Sequence, residues 1–460
     1  MSGHPKQQGA GCGREAMLRY FATGPDLPVR TDDGLDGAFR RYRMRIIMAI
    51  TLAYAVSYTC RLAINIVKKP LIDQGIFTPL ELGMIGSALF YTYAAGKLIN
   101  GFVADHSNVK RLFAAGMILS ALCNIAMGFS TLFWATLLIW GLNGWFQSYG
   151  APACVVALAS WFSNRERGRY YGIWSTAHSI GEGLTFAVVS AVVAIGGWRW
   201  GFWGPGVAAV LAGVAAYYAM ADRPRALGLP TVADWRNDHY APPAEDGPER
   251  GVFATQLSIL KIPAVWILAL ASAANYVTRY AINSWGILYL QEARAYSLAE
   301  AGAMLTASTL AGVAGAVAFG FVSDKFFGAR RPPANLLFGV IELVGLLLLF
   351  FGPNNPVIVF IAVILFGLGM TGLVTSLGGL FAIDICPKRV AGAALGLVGV
   401  FSYIGAAVQE QVSGALIDAN MHMINGTNVY DFGPVIWFWI GSSVLATLLA
   451  TTLWNTKLRD

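Results

Sequence analysis

Stretches of about 20 apolar, almost uncharged residues recur along this chain, and a helix of that length spans the hydrocarbon core of a bilayer. Twelve such stretches lie near 45–66, 81–104, 110–130, 133–162, 168–194, 203–221, 262–291, 300–322, 335–352, 356–383, 390–417 and 434–455 of the 460 residues. Charged residues make up only 12% of the chain, where soluble domains carry about 25%. The reading is an all-α membrane protein of twelve transmembrane helices. Two six-helix bundles, 45–221 and 262–455, are expected to flank a polar linker at 222–261 that is rich in proline and charge. Residues 1–44 and 456–460 read as cytoplasmic tails. The polar, Gly-rich start, Met1 to Asp36, has no apolar h-region, so no cleavable leader is expected there and this stretch reads as mobile.

The net charge of +7 does not point to nucleic acid, because the basic residues sit in short loops rather than on one face. Arg40, Arg41, Arg43 and Arg45 precede the first span. Lys110, Arg111, Arg165, Arg167, Arg169, Lys325, Arg330, Arg331, Lys388 and Arg389 fall in even-numbered connections, while the odd ones hold little beyond Lys68, Lys69, Arg199 and Arg294. The positive-inside rule then places both termini in the cytoplasm, in a multi-pass plasma (inner) membrane protein. The five cysteines form no C-x-x-C pair, so neither a disulfide framework nor a metal site is indicated. Without a G-x-x-x-x-G-K-[ST] loop an ATP-driven pump is not expected. No cofactor and no enzymatic activity are implied.

The two halves match each other. Gly101-Phe-Val-Ala-Asp105 with Lys110 and Arg111 is repeated as Gly320-Phe-Val-Ser-Asp324 with Lys325, and the aspartates differ by 324 − 105 = 219. Arg61 and Arg279 differ by 279 − 61 = 218, and Gly168 and Gly392 by 392 − 168 = 224. Near-constant offsets indicate an internal duplication, the device by which transporters build two bundles around a midplane site.

Charges inside spans need a reason, since even the lenient scale puts each at about 2.5–3.5 kcal/mol at the bilayer centre. Arg61 and Arg279 lie deep in the first and seventh spans, one per half, with no acidic residue within a helical turn. Guanidinium is planar, permanently charged and suited to bidentate bonds with phosphate or carboxylate. The pair therefore reads as a clamp on an anion, whose arrival would relieve their repulsion; empty, they would disfavour the occluded state and enforce exchange over leak. Lys97 and His178 could add positive charge, and Tyr58 and Tyr280 flank the arginines. Glu182, four residues after His178, could hold that imidazole protonated or counter Lys97. Glu342 and Glu410 carry no functional assignment.

At these residues the sequence resembles the organophosphate:phosphate antiporter family of the major facilitator type, which includes glycerol-3-phosphate and hexose-phosphate transporters and a related sensor. The likeness runs from about Arg40 to the C-terminus. It is carried by Tyr58-Thr-Cys-Arg61, Tyr93-Ala-Ala-Gly-Lys97, Val103-Ala-Asp-His-Ser-Asn108, Gly144-Trp-Phe-Gln147, Glu166-Arg-Gly168, Ile173-Trp-Ser-Thr-Ala-His178, Asn283-Ser-Trp285 and Ser323-Asp-Lys325. The linker, through Asp222 to Pro230 and Trp235 to Asp238, looks most like the hexose-phosphate sensor branch. The resemblance implies that Arg61 and Arg279 bind phosphate, that Lys97 and His178 line the same site, and that Asp105, Lys110, Arg111, Asp324 and Lys325 form the conformational motif. It also implies the major facilitator fold. Departures from the family pattern are Leu62, Val156, Ser284 and Thr309. Loss of a basic residue at Leu62 together with an acidic one at Ser284 looks like removal of a balanced ion pair. Thr309 would leave Lys97 without its acid, for which Glu182 is the replacement candidate.

The function expected is exchange of a phosphorylated organic anion, a sugar phosphate such as hexose 6-phosphate, for inorganic phosphate by alternating access. Alternatives are a membrane-embedded sugar-phosphate sensor signalling to a histidine kinase, and a proton-coupled organic-anion carrier served by His178 and Glu182.

Overall fold

A computed structural model describes residues 20–30, 34–238, 258–386 and 390–456. Cys12, Lys388 and Arg389 lie outside the described residues, as do most of the expected tails and residues 239–257 of the linker.

The described residues form twelve helical rods. The first half comprises α1 (Leu35–Asp73), α2 (Pro79–Asp105), α3 (Val109–Met127), α4 (Phe133–Gln147 and Gly150–Trp161), α5 (Asn164–Gly196) and α6 (Trp200–Ala219). The second half comprises α7 (263–292), α8 (Leu298–Phe327), α9 (Arg331–Phe351), α10 (Pro356–Ile385), α11 (Ala391–Ala419) and α12 (Gly433–Thr452). Nine of these, among the described residues, are long and apolar enough to cross a membrane. The other three have visible causes. Rod α4 is interrupted at Ser148 and Tyr149, where Pro152 withholds an N–H and crowds the carbonyl four residues back. Rods α2 and α7 carry Lys97, Asn100, Asn275, Arg279 and Asn283. Outward-facing side chains such as Ile195, Phe129, Trp134, Val317 and Trp437 are exposed, a surface that suits lipid and not water.

The duplication extends to local structure. Rods α2 and α8 both open on a capping box, Thr78 with Glu81 and Ser297 with Glu300, at the same 219-residue offset as the two loop aspartates (297 − 78 = 219). Packing repeats as well. A Cβ on Gly144 would collide with the carbonyl of Leu89, and one on Gly367 with the carbonyl of Ser308 (308 − 89 = 219), so glycine sets the α2–α4 and α8–α10 approach alike.

Some expectations need correction. The first span does not stop at 66: α1 runs to Asp73, so Lys68 is no loop residue but a side chain 1% exposed inside the protein. Within the stretch expected to be mobile, Leu35 and Asp36 already open α1 and residues 20–30 are docked. The N–H of Asn108 donates to Phe21, that of Leu27 to Arg225 and that of Arg30 to Gly228. The linker is folded as far as Asp238, with short helices at Pro224–Leu227 and Val232–Arg236. Outside the membrane, Asp222 accepts from the N–H of Val109 (2.8 Å) while burial pushes its carboxyl up; the N–H of Arg165 holds the Asp238 carboxyl down. Outside the helices there is one short hairpin among the described residues. Met421–Ile424 pairs antiparallel with Thr427–Tyr430 before α12, joined by Asn425 (φ 51°) and Gly426 (φ 79°). Two successive positive φ values are what a tight type I′ hairpin turn requires.

Two inter-bundle seams, α2 against α11 and α5 against α8, decide where the site is accessible. At the end away from the basic loops both are shut: Gly83 abuts the Glu410 backbone, Gly414 abuts Pro79, and Gly302 abuts Phe186. Toward the basic loops both part. A Cβ on Gly392 or Gly396 would meet nothing within 4 Å among the described residues, and an apolar groove of about 820 Å³ separates Thr176 and Ile180 from Leu310, Val313 and Val317. Both seams are therefore tighter at the end away from the basic loops than toward them.

Candidate functional site

Arg61 sits midway along α1 with 2% exposure, in a pocket without any carboxylate partner among the described residues. Its guanidinium donates to the Tyr58 hydroxyl (3.3 Å), the Tyr403 hydroxyl (3.5 Å) and Gln147 Oε1 (3.3 Å). It lies 4.5 Å from the Tyr58 ring centroid and 4.4 Å from that of Tyr93, where the ring quadrupoles attract a cation without neutralising it. Gln147 is itself fixed, donating to the Ser57 carbonyl (2.9 Å) and the Ser120 hydroxyl (2.8 Å).

Arg279 occupies the last helical turn of α7 before a π-helical segment, Ala281–Trp285. Such insertions are common at functional sites because they re-aim side chains. Its guanidinium is 5.6 Å from both the Tyr276 and Tyr280 rings. Unlike Arg61 it is paired, to Glu182 of α5, in the other bundle; the Asn283 amide also donates to Glu182 (3.4 Å). This overturns both expectations for Glu182, which pairs with neither His178 nor Lys97. The acid and the arginine are far apart in sequence and meet because α5 and α7 face each other across the bundle interface. Each arginine keeps a buried Nε with no acceptor among the described residues, as do Arg43, Arg167, Arg223 and Arg294 outside the site.

The structure brings the expected binding residues together. Tyr93 packs on Tyr403 (4.4 Å), Tyr403 on Tyr276 (5.7 Å), and Tyr280 on Phe90 (4.5 Å), so one aromatic lattice links Arg61 to Arg279. The Lys97 ammonium lies 5.3 Å from the Tyr403 ring and against Gly399. His178 takes its place beside Tyr54 and Tyr58 (5.2 Å each), its Nδ1 hydrogen-bonded to the Ser175 carbonyl (2.9 Å). Tyr276 rather than Tyr280 is the counterpart of Tyr58, three residues before its arginine at the same offset (276 − 58 = 218). Tyr403 was missed, although the Gly168–Gly392 offset maps it to position 179, next to His178.

Above this site the far end is sealed by a buried polar lock. Lys68 donates to Glu410 (2.9 Å) and Ser284 (2.8 Å) and lies over the Trp285 ring (3.6 Å). Trp285 donates to Glu410 (3.0 Å), and Ser284 bonds both Asn65 (2.8 Å) and Glu410. Asn65 donates to the Asn283 carbonyl (3.2 Å), and Lys69 pairs with Glu292. Position 284, expected to have lost an ion pair, thus stands inside one supplied by Lys68 and Glu410. Glu342 is elsewhere, buried in the second bundle with Ser443 donating to it (2.9 Å).

The loop motif is not part of the site. Asp324 and Asp384 both hold Arg331 (2.8 and 2.6 Å), whereas Asp105 is exposed. Arg111 donates to the Tyr20 carbonyl (2.6 Å), Lys110 lies over Tyr217 (4.3 Å) and Lys325 over Phe321 (5.1 Å). Among the described residues no His, Cys, Asp and Glu are grouped to hold a metal ion.

Chemically, a buried cluster of three cations, one carboxylate and tyrosine hydroxyls among aromatic rings suits an anion with a polar body. Residues 50–409 match the Major Facilitator Superfamily. The Membrane sensor protein UhpC of Escherichia coli (strain K12) is 35% identical over 85% of this chain and 90% of its own length. The Glycerol-3-phosphate transporter of Bacillus subtilis (strain 168) is 31% identical over 96% of this chain and 99% of its own. In fold, the chain is similar to the crystal structure of a bacterial homologue of the human lysosomal transporter Spinster, inward-facing and unoccupied. The TM-score is 0.71 at 17% identity, covering 90% of this chain and 97% of that one.

Proposed function

This chain belongs to the Major Facilitator Superfamily, and we propose that within it the chain exchanges a phosphorylated organic anion for inorganic phosphate by alternating access. A sugar phosphate such as hexose 6-phosphate is the substrate class, and the basic end faces the cytoplasm of an inner membrane. The observation that carries the reading is Arg61, a buried guanidinium with only neutral partners. A cation held that way is unsatisfied until an anion arrives, and its fork fits two phosphate oxygens. Arg279 meets the same headgroup from the second bundle, Lys97 and His178 line the chamber, and the tyrosines bond or stack on the organic body. Binding across both bundles lets them rock about the site, opening the Lys68–Glu410 lock as the basic side closes.

The test is uptake of labelled glucose 6-phosphate into liposomes containing the purified protein. Uptake that internal phosphate accelerates, and that Arg61→Ala abolishes, supports exchange; no uptake of any organophosphate under a phosphate gradient refutes it.

A second reading has its own observation, the 35% identity to a membrane sensor. Here ligand occupancy would be reported at the basic end, where the docked segment 20–30 and the folded linker offer a surface to a histidine kinase. Ligand binding without flux, together with kinase activation, selects this reading.

A further inference from the structure

Glu182 is the one site residue that the clamp argument does not require and would not welcome. A carboxylate beside the phosphate position repels the substrate, yet it is buried (8% side-chain exposure) and committed to Arg279, with Asn283 as a second donor. The pair crosses the interface between the bundles, so it exists only while α5 and α7 face each other. Its effect on the empty protein is the informative part. An empty, closed carrier would hold Arg61 (2% exposed already), Arg279 (13%) and Lys97 together away from water; without Glu182 these are three cations with no counter-charge, a costly state. With Glu182 in place one of the three is neutralised from within.

We propose that Glu182 is a built-in counter-anion that lets the empty carrier close and reorient, so that exchange in this protein is not obligatory. The inference rests on the transport reading above and reverses one expectation drawn from the sequence, that repulsion between Arg61 and Arg279 alone forbids leak. The asymmetry supports it. Arg61, within the first bundle, has no acid and waits for a ligand; Arg279 has one, and that acid comes from the opposite bundle, where it can act as a surrogate substrate bridging the two halves. The same carboxylate competes with ligand by like-charge repulsion, so an unbound carrier that returns easily is linked to weaker anion binding.

Two rates in liposomes test this: glucose 6-phosphate uptake against internal phosphate, and net uptake into phosphate-free liposomes with potassium and valinomycin to collapse charge. The wild type should show net uptake within about tenfold of exchange, and Glu182→Gln should lower the ratio of net uptake to exchange by about tenfold or more, since tenfold corresponds to a modest electrostatic change. Glu182→Asp, which keeps the carboxylate, should retain most of the ratio. Wild-type uptake that depends strictly on internal phosphate overturns the inference, even if Glu182→Gln cannot be purified, and so does an unchanged ratio in that variant. If the wild type exchanges nothing, the transport reading itself has failed. Inorganic phosphate binding to detergent-purified protein then decides the counter-anion role: about tenfold tighter binding in Glu182→Gln supports it, and equal affinity overturns it.

Discussion

Arg61 and Arg279 occupy equivalent places in two copies of one ancestral unit, yet their surroundings have diverged. Each lies three residues after a tyrosine that its guanidinium faces. The first is otherwise answered by hydroxyls and an amide, the second by a carboxylate from the opposite bundle. The loop aspartates are both exposed, and Asp324 is held by Arg331. The backbone devices do not diverge. Capping boxes and glycine contacts repeat at a fixed offset. Duplication therefore preserved the scaffold and left polar partners free to specialise, one arginine for the ligand and one for a contact between halves.

The sharpest break of this comparison is a pair of deletions. Arg279→Ala leaves Glu182 buried and unpaired and should cost about 3–5 kcal/mol of stability, whereas Arg61→Ala strands only neutral groups and should cost about 1–3 kcal/mol. Thermal melting in detergent reads the difference, and Arg279→Ala with Glu182→Ala should recover most of it. Equal losses from the two single substitutions would erase the asymmetry. Lys68→Ala should resemble Arg279→Ala, again by about 3 kcal/mol or more, while Lys68→Met with Glu410→Leu should come within about 1 kcal/mol of wild type.

A third comparison asks the halves to behave alike. Gly144→Ala and Gly367→Ala push equivalent helix pairs apart and should each cost about 1–3 kcal/mol by melting. A large loss at one and none at the other would mean that the repeated spacing is not a repeated contact. The smallest effect expected is at the loop motif. Asp324→Asn gives up an exposed acid's pairing with Arg331 and should cost up to about 1 kcal/mol, and Asp105→Asn less still.

Much of this was legible in the sequence, for reasons that differ by residue. The rods follow from apolar length alone, and Arg61 and Arg279 stand out because a charge at that depth is expensive and theirs sit at a common offset. Glu182 was visible but its partner was not, since a helical period relates it only to neighbours on α5 while Arg279 arrives from another helix. Lys68 was placed in a loop because hydropathy ends a span at the first cluster of lysines; the helix in fact continues, and Glu410 allows the ammonium to be buried. The hairpin after α11 carried an Asn425-Gly426 turn signal that a search for apolar runs passes over.

The central claim is that Arg61 is the ligand's arginine, and binding tests it without depending on flux. Titrating glucose 6-phosphate and inorganic phosphate into purified wild type and Arg61→Ala, with circular dichroism to establish that both are folded, should show affinity falling about a hundredfold or more in the variant, as expected for losing a charged hydrogen-bonding partner. A folded Arg61→Ala that binds both ligands within about threefold of wild type would contradict the account and move the anion site away from the first bundle.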